Sequence, residues 1–391
     1  MGRILLVLVV SVLVVGQAEA RTWHVNQDGT GDFTVIQDAV DAASSGDVIA
    51  IGPGRYDEFT TLESSGTLFD VHVLVPDGYG LTFIGAGIGE TIIGPEDPES
   101  HDDYTYGFFA FDAVDLVVRG IFFENCNHRG IYIPSGTLHV DQCRFYYPDN
   151  THGNVSGIRG GFTGGAVIEN CEFESLRYGV ATSSPSGPVA FESCSFLNCE
   201  TGVYAWTPSS NQVTITDSSF DGGVVGVSFL DGAGGAIDRC QFSNCTISLG
   251  GSGDISIVGC TAERDDGVRP LRLNNIGTAT ITDNIFQSNG DVVECFSYGP
   301  ATIRNNHFIR TGGGYWIECG YAPTHQSDVD FSMNYWGTTD LEEIAEGIWD
   351  CNDDDHAYNC VIFEPIADGP VSVETHSWSS VKALFGASED D

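Results

Sequence analysis

Lysine is almost missing from this chain. Lys382 is the only one, and all basic residues together number 15 against 55 acidic ones, a formal net charge of −40. Such a surface excludes partners that need a basic footprint, so DNA, RNA and anionic lipid are set aside. It disfavours polyuronates as well, unless calcium or a local cluster of arginines intervenes. The acidity also suits plain solubility or adaptation to salt. Methionine is scarce, with two residues and no His/Met cluster, which argues against a copper-handling role. The histidines show no zinc spacing.

Apolar runs long enough for a bilayer are lacking too, since a spanning helix needs about 20 such residues. The run from Ile4 to Val15 falls short, follows Arg3 and precedes Ala18-Glu19-Ala20. Basic start, short apolar stretch and small-x-small site make a secretory leader over residues 1–20. Cleavage after Ala20 is expected, leaving a secreted, periplasmic or cell-surface protein with no membrane span.

What the chain has in quantity is one phrase: apolar, any, apolar, any, any, Cys or Asn, any, aromatic. It reads Leu138–Val140–Cys143–Phe145, Val189–Phe191–Cys194–Phe196, Ala279–Ile281–Asn284–Phe286 and Val329–Phe331–Asn334–Trp336, with five further copies between them. The Cys/Asn positions are Cys143, Cys171, Cys194, Ser218, Cys240, Cys260, Asn284, Asn306 and Asn334, spaced 20 to 28 residues apart. Repetition at that period means a solenoid. Twelve cysteines in an exported chain suggest disulfides. Five of them, however, share one repeat position with serine and asparagine, as small buried fillers of a stack. Cys351 and Cys360, close together in the tail, are the expected bridge.

A second half-coil follows each phrase: glycine, an apolar residue, then alternation, as in Gly130-Ile131-Tyr132-Ile133 and Gly202-Val203-Tyr204-Ala205. Two strands per coil with glycine turns predict a parallel β-helix of about twelve coils at ~4.8 Å each. Before the repeat, Val35, Ile36, Ala39, Val40 and Ala43 recur at helical spacing, with Thr34 and Gln37 placed as a capping box. A helix near 34–44 would cover the first edge of the stack. Residues from Pro95 to Tyr106 read as a loop.

The opening Asp28-Gly29-Thr30-Gly31-Asp32-Phe33, with Gly46-Asp47-Val48-Ile49 and Gly52-Pro53-Gly54-Arg55-Tyr56 after the helix, resembles that of pectinesterase-like and other pectin-lyase-fold proteins. The resemblance implies an all-β, right-handed parallel β-helix with an N-terminal cap helix. Asn334-Tyr335-Trp336-Gly337 and the acidic stretch after it resemble the C-terminal cap of secreted bacterial β-helices. The expected divisions are leader 1–20, β-helix 21–340, and cap with acidic tail 341–391. The pectinesterase catalytic phrases do not follow the opening: Asp330-Phe331 continues as Ser332-Met333-Asn334, and Gln37-Asp38 lies on the cap helix. Esterase activity is therefore not expected.

Strand alternation puts Tyr132, Arg159, Ala181, Tyr204, Ser228, Gly250, Arg272, Glu294 and Glu318 in one outward column. Arg272, Glu294 and Glu318 would stand on adjacent rungs, where two carboxylates ~5 Å apart raise one pKa unless Arg272 offsets it. Such a set suits an acid and a nucleophile, calcium, or simply an exposed ion-pair ladder. For a lyase, Arg159, Arg269 or Arg272 would have to stand in for the missing lysine base. Tyr204, Trp206, Phe296, Trp316 and Arg159 are candidate sugar contacts. Asp353, Asp354 and Asp355 offer oxygen ligands for calcium, or a solvated turn. The expected role is that of an exported, monomeric scaffold or carbohydrate-binding protein facing an extracellular polysaccharide or cell-surface component. The competing role is a polysaccharide hydrolase or lyase at the Arg272/Glu294/Glu318 face.

Overall fold

In the computed structural model, residues 20–370 are described, apart from 65, 99–103, 149–152, 184–186, 207–211, 252, 275–276, 297–300, 322–326, 355 and 358. Residues 1–19 of the expected leader 1–20, part of the loop expected before Tyr106 and the tail beyond Pro370 lie outside the described residues. Three sheets of 12, 11 and 13 strands run the length of a parallel solenoid. One coil shows the path: Ser135–Asp141 in sheet 1, Arg144–Tyr146 in sheet 2, Ser156–Gly160 in sheet 3, and back to Gly165–Glu169 in sheet 1. The named strands pair in parallel, except where Thr60–Ser64 folds back antiparallel on Thr67–Val75.

Each coil therefore carries three strands, not the two that alternation predicts. The repeated phrase is broken in its middle. Gln142, Asn170, Ser193, Asp217, Arg239, Asp283, Asn305 and Met333, each just before the Cys/Ser/Asn position, hold φ between 49° and 60°. Asn and Asp tolerate this left-handed region better than other side chains with a Cβ. The bends cost no hydrogen bonds: the amides of Gln142, Asn170 and Ser193 still donate to Glu169, Glu192 and Thr216 on the next rung.

The buried ladder behind these bends is polar and satisfied. Asn306 donates through Nδ2 to the Ile281 carbonyl (2.8 Å) and to Asn334 Oδ1 (3.0 Å), and its Oδ1 accepts from the Asn284 amide nitrogen (3.1 Å). The cysteines copy that geometry, Cys143, Cys194 and Cys260 donating to the Val118, Ile168 and Ile237 carbonyls. A thiol or a carboxamide can thus fill one position, because each offers a donor to the preceding rung. Ten cysteines are free and buried, while Cys351 and Cys360 are joined. Beside the ladder, Phe123, Phe145, Phe173, Phe196, Phe220 and Phe242 stack with centroids 4.6–4.9 Å apart.

Helix α1 (Ile36–Ala42) covers the first coil with Ile36, Ala39 and Val40 buried. No capping box forms. The N-cap is Val35, and Gln37 is drawn away to the Leu74 backbone, which it meets both as donor (3.2 Å) and as acceptor (2.8 Å). The expected loop before Tyr106 ends early, since Tyr104–Ala110 is a strand of sheet 3. At the far end Trp336 closes the aromatic stack on Phe308, 5.1 Å away, and α2 (Leu341–Glu346) starts from Asp340, whose carboxylate accepts from the Glu342 and Glu343 amides.

Candidate functional site on the outer face of sheet 3

The in-register pairing of sheet 3 lines up Phe109, Tyr132, Arg159, Ala181 and Tyr204 along the rod axis. The column continues through Ser228 and Ser248 to Arg272, Glu294, Glu318 and Trp349. Ser248 takes the place expected for Gly250, which pairs instead with Leu230. The column changes character along its length: aromatic with arginine in the first half, ionic in the second.

In the ionic half, Arg272, Glu294 and Glu318 are on successive rungs. Arg269, from the preceding turn, inserts among the acids. It meets Asp291 at 3.0 Å and Glu294 at 3.4 Å and forms a close ion pair with Glu318, while Arg272 pairs closely with Glu294. Each carboxylate thus has a guanidinium. Phe296 lies half-buried on the Glu294 strand, its ring tight against Gly320. Trp316 is not a sugar platform: only 4% exposed, it is enclosed by Trp336 (6.2 Å), by the Arg310 guanidinium (4.0 Å) and by Gly347.

In the aromatic half, three of the expected sugar contacts come together. Arg159, Tyr204 and Trp206 share an open cleft of about 380 Å³ with Asn154, Tyr178 and Thr182. Tyr178 and Tyr204 lean together at 5.2 Å and 55°. Trp206 is 42% exposed and its indole N–H is held by Asp231. Burial, then Tyr178 and Asp231, push the Tyr204 phenol above its ordinary range, so it stays protonated and able to donate. This cleft is three rungs from Arg272, or ~14 Å at ~4.8 Å per rung.

Sequence reasoning missed a second column beside the first: Tyr106, Arg129, Ser156, Tyr178 and Thr201, in register on sheet 3. Its signal was available, because each of these residues immediately precedes the glycine of its half-coil. Arg129 lies over the rings of Tyr106 (5.8 Å) and Tyr132 (5.2 Å). Burial lowers its pKa to about 10, and burial together with Arg129 and Arg159 pushes neighbouring His128 down to about 3.

The acidic tail loop is occupied with itself. Asp353 accepts from the Asp350 amide at 3.1 Å, and Asp354 accepts from the His356 backbone at 2.9 Å and ring at 3.1 Å. Asp355 lies outside the described residues. Among the described residues no group of three or more His, Cys, Asp or Glu is placed to hold a metal.

The fold is a parallel β-solenoid of three long sheets. The family model for the right-handed beta helix region matches residues 99–235 and 206–334, and the chain belongs to that family. A protein of Arabidopsis thaliana named probable pectinesterase/pectinesterase inhibitor 17 is 28% identical over 178 residues, 39% of this chain and 32% of that protein. The chain thus matches about a third of that relative's length. Among solved structures, pectate lyase Pel9A is similar at 15% identity and TM-score 0.48, with 78% of this chain and 80% of that one covered. The polysaccharide lyase Pedsa3628 from Pseudopedobacter saltans is similar at 11% identity and TM-score 0.45, with 92% and 97% covered. No described helix is long and apolar enough to cross a membrane.

Proposed function

We propose that this is an exported carbohydrate-binding β-helix, residues 21–340 forming the rod, whose ligand lies on sheet 3 over the Arg159–Tyr178–Tyr204–Trp206 cleft. The observation that carries the reading is the cleft itself: an exposed indole and two tilted phenols lining one open hollow beside a guanidinium. Aromatic faces cover the apolar C–H faces of a sugar ring, while phenol, carboxamide and guanidinium donate to its oxygens. The relative named as a pectinesterase is in keeping with a polysaccharide ligand.

The Arg272/Glu294/Glu318 face suits an ion-pair ladder better than an acid–nucleophile pair. Arg269 fills the space between the carboxylates that a glycosidic oxygen would need. Screening the purified chain on neutral and acidic polysaccharides, for binding and for turnover, tests the proposal. Binding without turnover, lost in Trp206→Ala, is the expected result. Turnover abolished by Glu294→Gln with Glu318→Gln would replace this reading with a hydrolase or lyase.

A further inference from the structure

In a chain this acidic, an arginine without a carboxylate is out of place. Among the described arginines all but Arg129, Arg159 and Arg310 have a carboxylate within 4.0 Å. Arg310 is accounted for, donating to the Gly314 carbonyl and covering Trp316. Arg129 and Arg159 remain, on neighbouring strands of sheet 3 whose register sets Tyr132 beside Arg159.

Arg129 is 8% exposed, and its Nε and Nη1 are sealed from solvent with no acceptor. Its surroundings are the two tyrosine rings and His128, which stays neutral across the physiological range. A buried guanidinium without a counter-ion costs several kcal/mol. Its persistence beside a second free arginine at the wall of an open cleft points to an anion supplied from outside. The requirement is for multiple acceptors: two guanidiniums, neither with a carboxylate of the described residues within 4.0 Å. A carboxylate brings two oxygens, which the fork of a single arginine satisfies. A sulfate monoester brings three terminal oxygens and a charge that is permanent above pH 2 or so, enough to engage both guanidiniums.

We infer that Arg159, in the wall of the sheet-3 cleft, and Arg129, beside that wall, form an oxyanion subsite, and that the glycan bound there carries sulfate esters. The inference rests on the carbohydrate-binding reading of that cleft, and the two are separable by experiment. Isothermal titration of the full chain, disulfide intact and at physiological ionic strength, uses dextran sulfate, neutral dextran and polygalacturonate as probes. Dextran sulfate is expected to bind at least about tenfold more tightly than either of the others. Arg159→Gln and Arg129→Gln are each expected to lose at least about tenfold toward dextran sulfate, and Arg129→Gln nothing toward dextran.

Thermal unfolding shows whether Arg129→Gln is folded. Arg159→Gln, at the more open position, decides the matter if it is not. Polygalacturonate binding as tightly as dextran sulfate would overturn the sulfate assignment in favour of a carboxylate. Binding that needs Trp206 but ignores both arginines would remove the subsite and leave the cleft. Binding unchanged in Trp206→Ala would remove the cleft.

Discussion

Gly130 and Phe145 cannot be varied separately. A Cβ on Gly130 would lie 2.5 Å from Phe145 Cδ1, and the same contact recurs at 2.6–2.7 Å between Gly157 and Phe173, Gly179 and Phe196, Gly202 and Phe220, and Gly226 and Phe242. Both columns stop together. Ala262 follows Phe242 in register, and the slip after Val225 leaves Gly226 with no counterpart on the next strand. Gly179→Ala is therefore expected to destabilise by about 1–3 kcal/mol through overpacking. Gly313→Ala, with nothing within 4 Å, is expected to be silent. Urea unfolding of the two variants makes the comparison.

That pairing also shows what the sequence could and could not reveal. The glycines read as turns, since glycine punctuates chains. Here they lie inside strands such as Arg129–Ile133 because a ring from another sheet occupies the space of a Cβ. Likewise the phrase from Leu138 to Phe145 counted as one of two strands per coil, although its three-residue step from Val140 to Cys143 falls where a left-handed Gln142 turns the chain. Periodicity thus identified the solenoid and the outward column, including Arg159 and Tyr204. It could not show that Arg269 reaches into the acidic half from a turn, or that Trp316 is enclosed, because both depend on contacts between coils.

The asparagine ladder should be more sensitive to loss of its donor than to change of its shape. Asn306→Ala leaves the Ile281 carbonyl and the Asn284 amide without the partners they have now, a loss of roughly 2–4 kcal/mol. Asn306→Cys is expected to lose less, because cysteine donates to the preceding carbonyl at the same position elsewhere in the stack. Equal loss in both variants, measured by denaturant unfolding, would mean that packing and not hydrogen bonding holds this position.

His128 makes stability depend on pH in a stated direction. Its folded pKa, driven down to about 3 by burial and then by Arg129 and Arg159, lies below the ordinary value of 6.5. Between those limits the unfolded chain binds a proton that the folded one does not, so stability is full above 6.5 and falls toward 3. His128→Gln is expected to flatten this part of the profile. An unchanged slope from pH 6.5 to 4 in equilibrium unfolding would show that His128 protonates freely in the folded state.

With a net charge of −40, self-repulsion opposes the compact state and salt screens it. The melting temperature is expected to rise with sodium chloride from low salt to about 1 M, where the screening length is about 3 Å. A fall over that range would mean that attractive pairs such as Arg269–Asp291 outweigh the repulsion.

The central claim, that ligand is held by the aromatic half of sheet 3 and not by its ionic half, is tested most directly by titrating one bound glycan into two variants. Trp206→Ala is expected to weaken binding by at least about tenfold, and Glu294→Gln with Glu318→Gln to leave it unchanged. Loss in the glutamine variant with full affinity in Trp206→Ala would contradict the account.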